Sequence, residues 1–226
     1  MKKLISKFLK FILPKNTYED RRNNNYFIFY SNFELFLHTF FLRLKNKKLF
    51  FLPSRHLGAI YLLDRIAEIF RKHNITFFLW DASLLGAARK QNAIAGSASD
   101  IDIAIIFDKK KHLSFLLSLQ SEFKIKFHNN YNSLQLFHAL GLIDISLINI
   151  KNKKLELIVD IPLKKRKNTK KNKIKFIFNS EDFKPFSYSK IYSKKFCIPK
   201  NYKQILKKVY GDDWKIPDKK QQVYFT

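Results

Sequence analysis

The sequence predicts an α/β (α+β) fold, and three observations carry that reading. Leu57, Ile60, Tyr61, Ile66, Ile69 and Phe70 recur mostly at intervals of three and four, the spacing of a helix face turned to a core. Asp100 to Phe107 alternates acids with isoleucines, the two-residue period of a strand. Between Lys124 and Asp160, four short β-branched and aromatic runs follow one another, before a last helical segment. A chain of 226 residues suits one domain, and 24 phenylalanines and 10 tyrosines supply enough apolar area for its core. The expected division is a basic extension over residues 1–54 and a folded domain over 55–226.

The elements justify themselves in order. In MKKLISKFLKFILPKN, Leu4, Phe8 and Ile12, with Ile5, Leu9 and Leu13 beside them, lie opposite Lys3, Lys7 and Lys10. That is a basic amphipathic helix, suited to an anionic membrane surface or to packing on its own domain. Lys7 and Lys10 interrupt the apolar run and no small-residue cleavage site follows, so a signal peptide is not expected. No apolar stretch reaches the roughly 18 residues needed to span a bilayer, and the expectation is a soluble or peripheral protein. Leu57–Phe70 reads as a helix closed by Lys72, His73 and Asn74, and Ile75–Trp80 as a strand. Ser83–Lys90 reads as a short helix with Ser83 as its N-cap, followed by a loop of small residues, Ala93–Ser99. Asp100–Phe107 is a strand, Lys109–Glu122 a helix, and Lys124–His128, Leu134–Ala139, Leu142–Ile148 and Leu155–Asp160 are strands. Lys164–Lys173 is too polar to bury and reads as a solvated loop. Asn201–Tyr210 is a closing helix, introduced by Pro199 and stopped by Gly211.

Composition narrows the function classes. The formal charge is +26, yet only eight of the 44 basic residues are arginines. Abundant Lys, Asn, Ile and Phe are also what an AT-rich coding sequence produces. Where the charge is used, it favours polyanions: nucleotide phosphates, anionic glycans, anionic lipid head groups or nucleic acid. Cys197 is the sole cysteine, which rules out an intramolecular disulfide and a cysteine-built zinc site and fits a reducing compartment. The six histidines lack metal-ligand spacing, and with five glycines there is neither a P-loop nor a dinucleotide fingerprint.

The chemistry concentrates in WDASLLGAARKQNAIAGSASDIDIAI, Trp80 to Ile105. On a strand Asp100 and Asp102 point to one side while Ile101, Ile103 and Ile105 point to the other. Two carboxylates held together repel and raise each other's pKa, a cost that a divalent cation removes. GLIDISLIN, Gly141 to Asn149, places a third acid, Asp144, inside an apolar strand, where an unpaired carboxylate is costly. If the two strands are neighbours, Asp100, Asp102 and Asp144 converge into a site for Mg2+ or Mn2+ and metal-assisted phosphoryl-type transfer. Ser83 at a helix N-terminus and Arg89 further along offer donors for a phosphate, or else are a plain N-cap and a surface arginine.

These segments resemble the signature of the LicD family, related to fukutin and fukutin-related protein. There a Gly-Thr-Leu-Leu-Gly turn and an arginine precede an acid-rich Asp-x-Asp strand. Ser83, Leu84, Leu85, Gly86 and Arg89 occupy the turn here, Asp100, Ile101 and Asp102 the strand, and Asp144 the position of the third acid. CIPKNYKQILKKVYGDDW, Cys197 to Trp214, is similar to the family's closing pattern of a proline, a short helix and a Tyr-Gly pair before a tryptophan. Ala82 replaces the family's first glycine, and Ser97, Ala98 and Ser99 replace its usual Trp-Asp-Asp.

The resemblance covers about residues 57–217 and implies a nucleotidyltransferase-like mixed sheet flanked by helices. It further implies transfer of phosphocholine, or of a polyol phosphate such as ribitol phosphate, from a CDP-activated donor to a cell-surface glycan or lipopolysaccharide. In that role Asp100, Asp102 and Asp144 are the catalytic and metal-binding residues, Asp144 also the candidate general base, and Ser83, Gly86 and Arg89 meet the donor phosphates. The acceptor is a glycan or lipid-linked glycan, with peripheral contact to an anionic membrane from the cytoplasmic side, and nucleic acid is not the expected partner. The alternatives are nucleotide transfer to RNA, a small molecule or a protein on the same fold, and a basic binding protein without catalysis.

Overall fold

The computed structural model describes residues 40, 54–91, 93–95, 100–108, 112, 114–116, 119–128, 133–138, 140–151, 154–160 and 173–216. The amphipathic segment 1–16, nearly all of the extension 1–54, and residues 164–172 of the lysine-rich loop lie outside the described residues. The elements in chain order are α1 (Ser54–Lys72), β1 (Phe77–Leu79), α2 (Asp81–Ala88), β2 (Asp100–Phe107), β3 (Lys124–His128), β4 (Ser133–His138), β5 (Gly141–Lys151), β6 (Lys154–Asp160), β7 (Lys173–Asn179), β8 (Ser187–Ile191), β9 (Lys194–Ile198) and α3 (Tyr202–Tyr210). Short 3-10 turns cover Leu119–Ser121 and Ser180–Asp182.

This is a mixed α+β architecture, as the sequence predicts. Seven strands form one sheet in the order β1-β2-β5-β4-β3, with β6 on β5 and β7 on β6. The β2–β5 pair is parallel and the other pairs are antiparallel. Helix α1 lays Leu57, Ile60, Leu63, Ile66 and Phe70 onto the sheet, all 1% exposed or less. At about 1.5–3 kcal/mol for each large apolar side chain taken out of water, this face is ample reason for the helix to dock. Arg71 and Lys72 close its last turn, where they complement the negative end of the dipole. Beneath the start of α2, Trp80 stacks on Phe183 at 5.9 Å between ring centroids, and Phe78 and Phe178 complete an aromatic cluster. That cluster fixes where α2 begins.

The structure corrects several local readings. Helix α2 starts at Asp81, with Trp80 in extended conformation as its N-cap and no side-chain capping bond, so Ser83 is an interior residue rather than the cap. The expected helix Lys109–Glu122 is helical at residues 112 and 114–116 and tightens to a 3-10 turn at Leu119–Ser121. The strands β7, β8 and β9 were not expected, and Lys173 belongs to β7 rather than to the preceding loop. The pair β8–β9 forms its own two-stranded sheet beside α2 and β1.

Candidate functional site

Four acids gather where α2 meets the middle of the sheet. Register pairs Asp102 with Asp144 directly across the parallel β2–β5 ladder, and Asp100 precedes Asp102 by two residues on the same face. The strands that carry them are interior to the sheet, not edge strands. The fourth acid is Asp81, at the first position of α2 with φ of 38°, a left-handed backbone that Asp tolerates better than most residues. All four residues are half-buried.

Their electrostatics follow from that crowding. Burial, then the negative charge of Asp144, raises the Asp100 carboxyl to about 6. Burial and Asp144 raise Asp81 to about 7, against the opposing hydrogen bond from Tyr210. Asp102 is pushed well above the ordinary carboxylate range, first by burial and then by Asp81, Asp100 and Asp144. Among the donors that reach the cluster are Ala82 N–H to Asp102 Oδ2 (3.2 Å), Gln135 Nε2 to Asp144 Oδ2 (3.0 Å) and the Tyr210 hydroxyl to Asp81 Oδ1 (3.5 Å). Gln135 faces Asp144 because the two are cross-strand partners on β4 and β5.

The residues expected to meet a donor phosphate have internal partners. Ser83 is fully buried, and its Oγ accepts the Asp102 N–H at 3.0 Å. The Trp80 N–H donates to the Asp102 carbonyl at 3.1 Å, so the first turn of α2 clasps Asp102 by its amide, carbonyl and carboxylate. Gly86 lies against residues 93–95, where an added Cβ would come within 2.0 Å of the Ala93 carbonyl oxygen. Arg89 donates from Nε to the Trp214 carbonyl at 2.8 Å, from one Nη to the same carbonyl, and from that Nη to the Ile216 carbonyl at 2.9 Å. Direct phosphate contacts by the Ser83 hydroxyl and the Arg89 guanidinium compete with these bonds.

Sequence reasoning missed Asp81, Gln135 and Tyr210. An acid in the first turn of a helix reads as a charge on the helix dipole, and the packing of α2 on β2 is what turns it toward the cluster. The Ser83 clasp carries an expected result. Ser83→Ala leaves the Asp102 amide without its acceptor in a buried place and should cost about 1–3 kcal/mol, read as the shift in urea midpoint at constant slope. Thr at the same position keeps the oxygen and should cost less.

The side chains fit a hard divalent cation chemically, because they are oxygen donors whose mutual repulsion such an ion relieves. As placed, no three His, Cys, Asp or Glu side chains among the described residues converge tightly enough to hold a metal. The Cα register puts Asp102 and Asp144 at the spacing of adjacent strands, about 4.8 Å.

No curated protein matches the chain. Among solved structures the chain is similar to "Crystal structure of lincosamide antibiotic adenylyltransferase LnuA, lincomycin-bound", with a TM-score of 0.43 and 19% identity over 64% of this chain and 82% of that one. Nothing about this chain's substrate follows from so distant a likeness. The family described as "LicD/FKTN/FKRP, nucleotidyltransferase domain" matches residues 74–201, a span that runs from the end of α1 to the start of α3 and takes in all four acids. Since that span is more than half of the chain, the protein belongs to the LicD/FKTN/FKRP family and is a transferase built on its nucleotidyltransferase domain.

Proposed function

We propose that this protein moves phosphocholine, or a polyol phosphate such as ribitol phosphate, from a CDP-activated donor to a hydroxyl of a cell-surface glycan or lipopolysaccharide. The observation that carries the reading is the parallel register of Asp102 on Asp144 with Asp100 two residues away, inside the family's domain. In this reading Asp100, Asp102 and Asp144 hold Mg2+ or Mn2+, which when bound neutralises the donor diphosphate and orients it. The acceptor oxygen attacks the phosphorus that bears the choline or polyol. The bond from that phosphorus to CMP breaks, CMP leaves, and Asp144 or a neighbouring acid accepts the hydroxyl proton. Helix α2 borders the site, its buried Ser83 holding Asp102 in place and Arg89 at its end bonded to the Trp214 and Ile216 carbonyls.

A lysine-rich stretch whose strand β8 and helix α3 pack on α2 favours an anionic acceptor or an anionic leaflet. From Phe183 to Gly211 the chain has eight lysines and no acid. Lys184, Lys190, Lys195, Lys200 and Lys203 of this stretch are exposed. We place the reaction in the cytoplasm, at the inner face of the membrane. Among the described residues no helix is long and apolar enough to cross a membrane.

The test is incubation of the full chain with CDP-choline labelled in the choline, or CDP-ribitol labelled in the ribitol, together with crude surface glycan. Label should enter the glycan only with Mg2+ or Mn2+ and CMP should appear in equal amount. Transfer of the nucleotide portion to RNA, a small molecule or a protein would favour nucleotidyl transfer. Failure with every CDP donor, in the presence of metal, would remove the proposed reaction.

A further inference from the structure

The last fifteen described residues, 202–216, lie beyond the span matched by the family, yet they reach back to the acids. Helix α3 buries Ile205 and Leu206 and packs beside α2, and Trp214 is only 5% exposed. Two contacts tie this strap to the site. At one end of α2, Arg89 grips the carbonyls of Trp214 and Ile216 with its guanidinium, which has the five-donor fork needed to hold two acceptors at once. At the other end, the Tyr210 hydroxyl donates to Oδ1 of Asp81, the acid that α2 turns toward Asp100, Asp102 and Asp144.

We infer that the C-terminal strap is part of the active site, with Arg89 as the pin that seats it and Tyr210 as a positioning residue that orients Asp81 against the metal-binding acids. This rests on the proposed metal-dependent transfer. It gives Arg89 a role distinct from gripping donor phosphate: its fork is spent on main-chain carbonyls, and its effect passes through the strap. The bond at 3.5 Å is long for a hydroxyl on a carboxylate, so its contribution is orientation of Asp81 rather than strong binding. Outer contacts of this kind tune metal sites, where losing one lowers metal affinity by about tenfold or more.

The experiment uses the full chain and two readouts. Acrylamide quenching of tryptophan reports strap seating, because Trp80 is buried in the aromatic cluster and Trp214 depends on Arg89. Binding of Mn2+ alone, followed by electron paramagnetic resonance, reports the acids. Arg89→Met keeps the apolar stem but removes the fork, and it should make Trp214 quenchable and weaken Mn2+ binding about tenfold. Arg89→Lys, with a single ammonium for two carbonyls, should fall between Met and wild type. Tyr210→Phe should leave quenching unchanged and weaken Mn2+ to the same degree as Arg89→Met, and the double variant should be no weaker than either single one. Wild-type Mn2+ affinity in both single variants would overturn the inference while leaving the metal site standing. Protected Trp214 in Arg89→Met would overturn the pin. A wild-type chain that binds no Mn2+ would remove the metal reading, and the strap's role would fall with it.

Discussion

Asp102→Asn is expected to abolish metal-dependent transfer and at the same time to make the metal-free protein more stable at pH 8. The first effect follows from position. Asp102 is the acid nearest the centre of the cluster, with Asp100 on its own strand, Asp144 across the ladder, and the turn of α2 clasping it. On the proposed reaction, where the acids neutralise a donor diphosphate through a metal ion, loss of one anionic oxygen should lower kcat by about a thousandfold, which corresponds to about 4 kcal/mol of transition-state stabilisation. The second effect follows from the sign of the pKa shift. The folded protein raises Asp102 above its usual value, through burial first and the other acids second. An unfolded chain releases that proton near pH 4, whereas the folded chain holds it to higher pH. The group therefore costs nothing below its unfolded pKa, and stability falls as pH rises from there through the folded pKa. Asn carries no proton to lose, so the variant should escape this fall. Asp81, raised to about 7, and Asp100, raised to about 6, contribute in the same direction. Thermal melts of wild type and variant at pH 5 and pH 8, with and without Mg2+, check both sides. The variant should gain at pH 8 without metal and show a smaller Mg2+ response. Equal melting of both proteins at pH 8, together with retained transfer, would make Asp102 a structural residue.

Much of this site was legible because its chemistry sits on strands. The alternation DIDIAIIF determines both that β2 exists and that Asp100 and Asp102 share a face, and β2 spans Asp100–Phe107 as expected. Asp144 was visible as an acid among buried neighbours, Leu142, Ile143, Ile145 and Leu147. That it lies beside Asp102 is a property of the β2–β5 register, which pairs residues 42 positions apart and leaves no local trace. Helix α3 was legible from its stops, with Gly211 at its C-cap at φ of 90°. The hairpin β8–β9 was not. Its turn uses Tyr192 and Ser193 at φ of 51° and 63°, in place of the Asn-Gly or Asp-Gly pair that marks two-residue hairpins. Strand β7 carries a clear alternation of Lys173 and Lys175 with Ile174 and Phe176, obscured by the lysine-rich run just before it. The N-cap of α2 was misplaced by three residues, Ser83 for Trp80, because Ser83 has the side chain of a good cap. An aromatic cluster holds Trp80 in that place instead. Arg89 has the same lesson: its residue type predicted a fork, and only the folded chain shows that main-chain carbonyls fill it.

Gly86→Ala is expected to destabilise the domain severely, although it adds a single carbon. Gly86 lies inside α2, where intrinsic preference alone would make alanine better by about 1 kcal/mol. Space decides the opposite sign. A Cβ there would stand 2.0 Å from the Ala93 carbonyl oxygen and 2.8 Å from the Ala95 nitrogen, and both are backbone atoms that no rotamer change can move. The segment cannot simply lift away, because the Gln91 N–H donates to the Gly86 carbonyl at 3.0 Å and the Ala95 N–H to the Ala82 carbonyl at 3.1 Å. Overpacking against a fixed backbone typically costs 1–3 kcal/mol and sometimes more, and the closeness of this contact puts the net loss at about 3 kcal/mol. For a chain of this size that is a fall in Tm of about 6–12 °C. Gly58 supplies the comparison. It too is in a helix, but its added Cβ would meet the Leu140 carbonyl oxygen at 3.0 Å, a contact that a small shift relieves. There the helix gain and the crowding nearly cancel, and Gly58→Ala should change stability by less than about 1 kcal/mol. Urea unfolding of the two variants side by side measures the difference. Because the displaced segment leads into Asp100 at the head of β2, Gly86→Ala should also lower activity in whatever fraction remains folded. A Gly86→Ala protein as stable as the Gly58→Ala one would show that residues 93–95 pack more loosely on α2 than the structure places them.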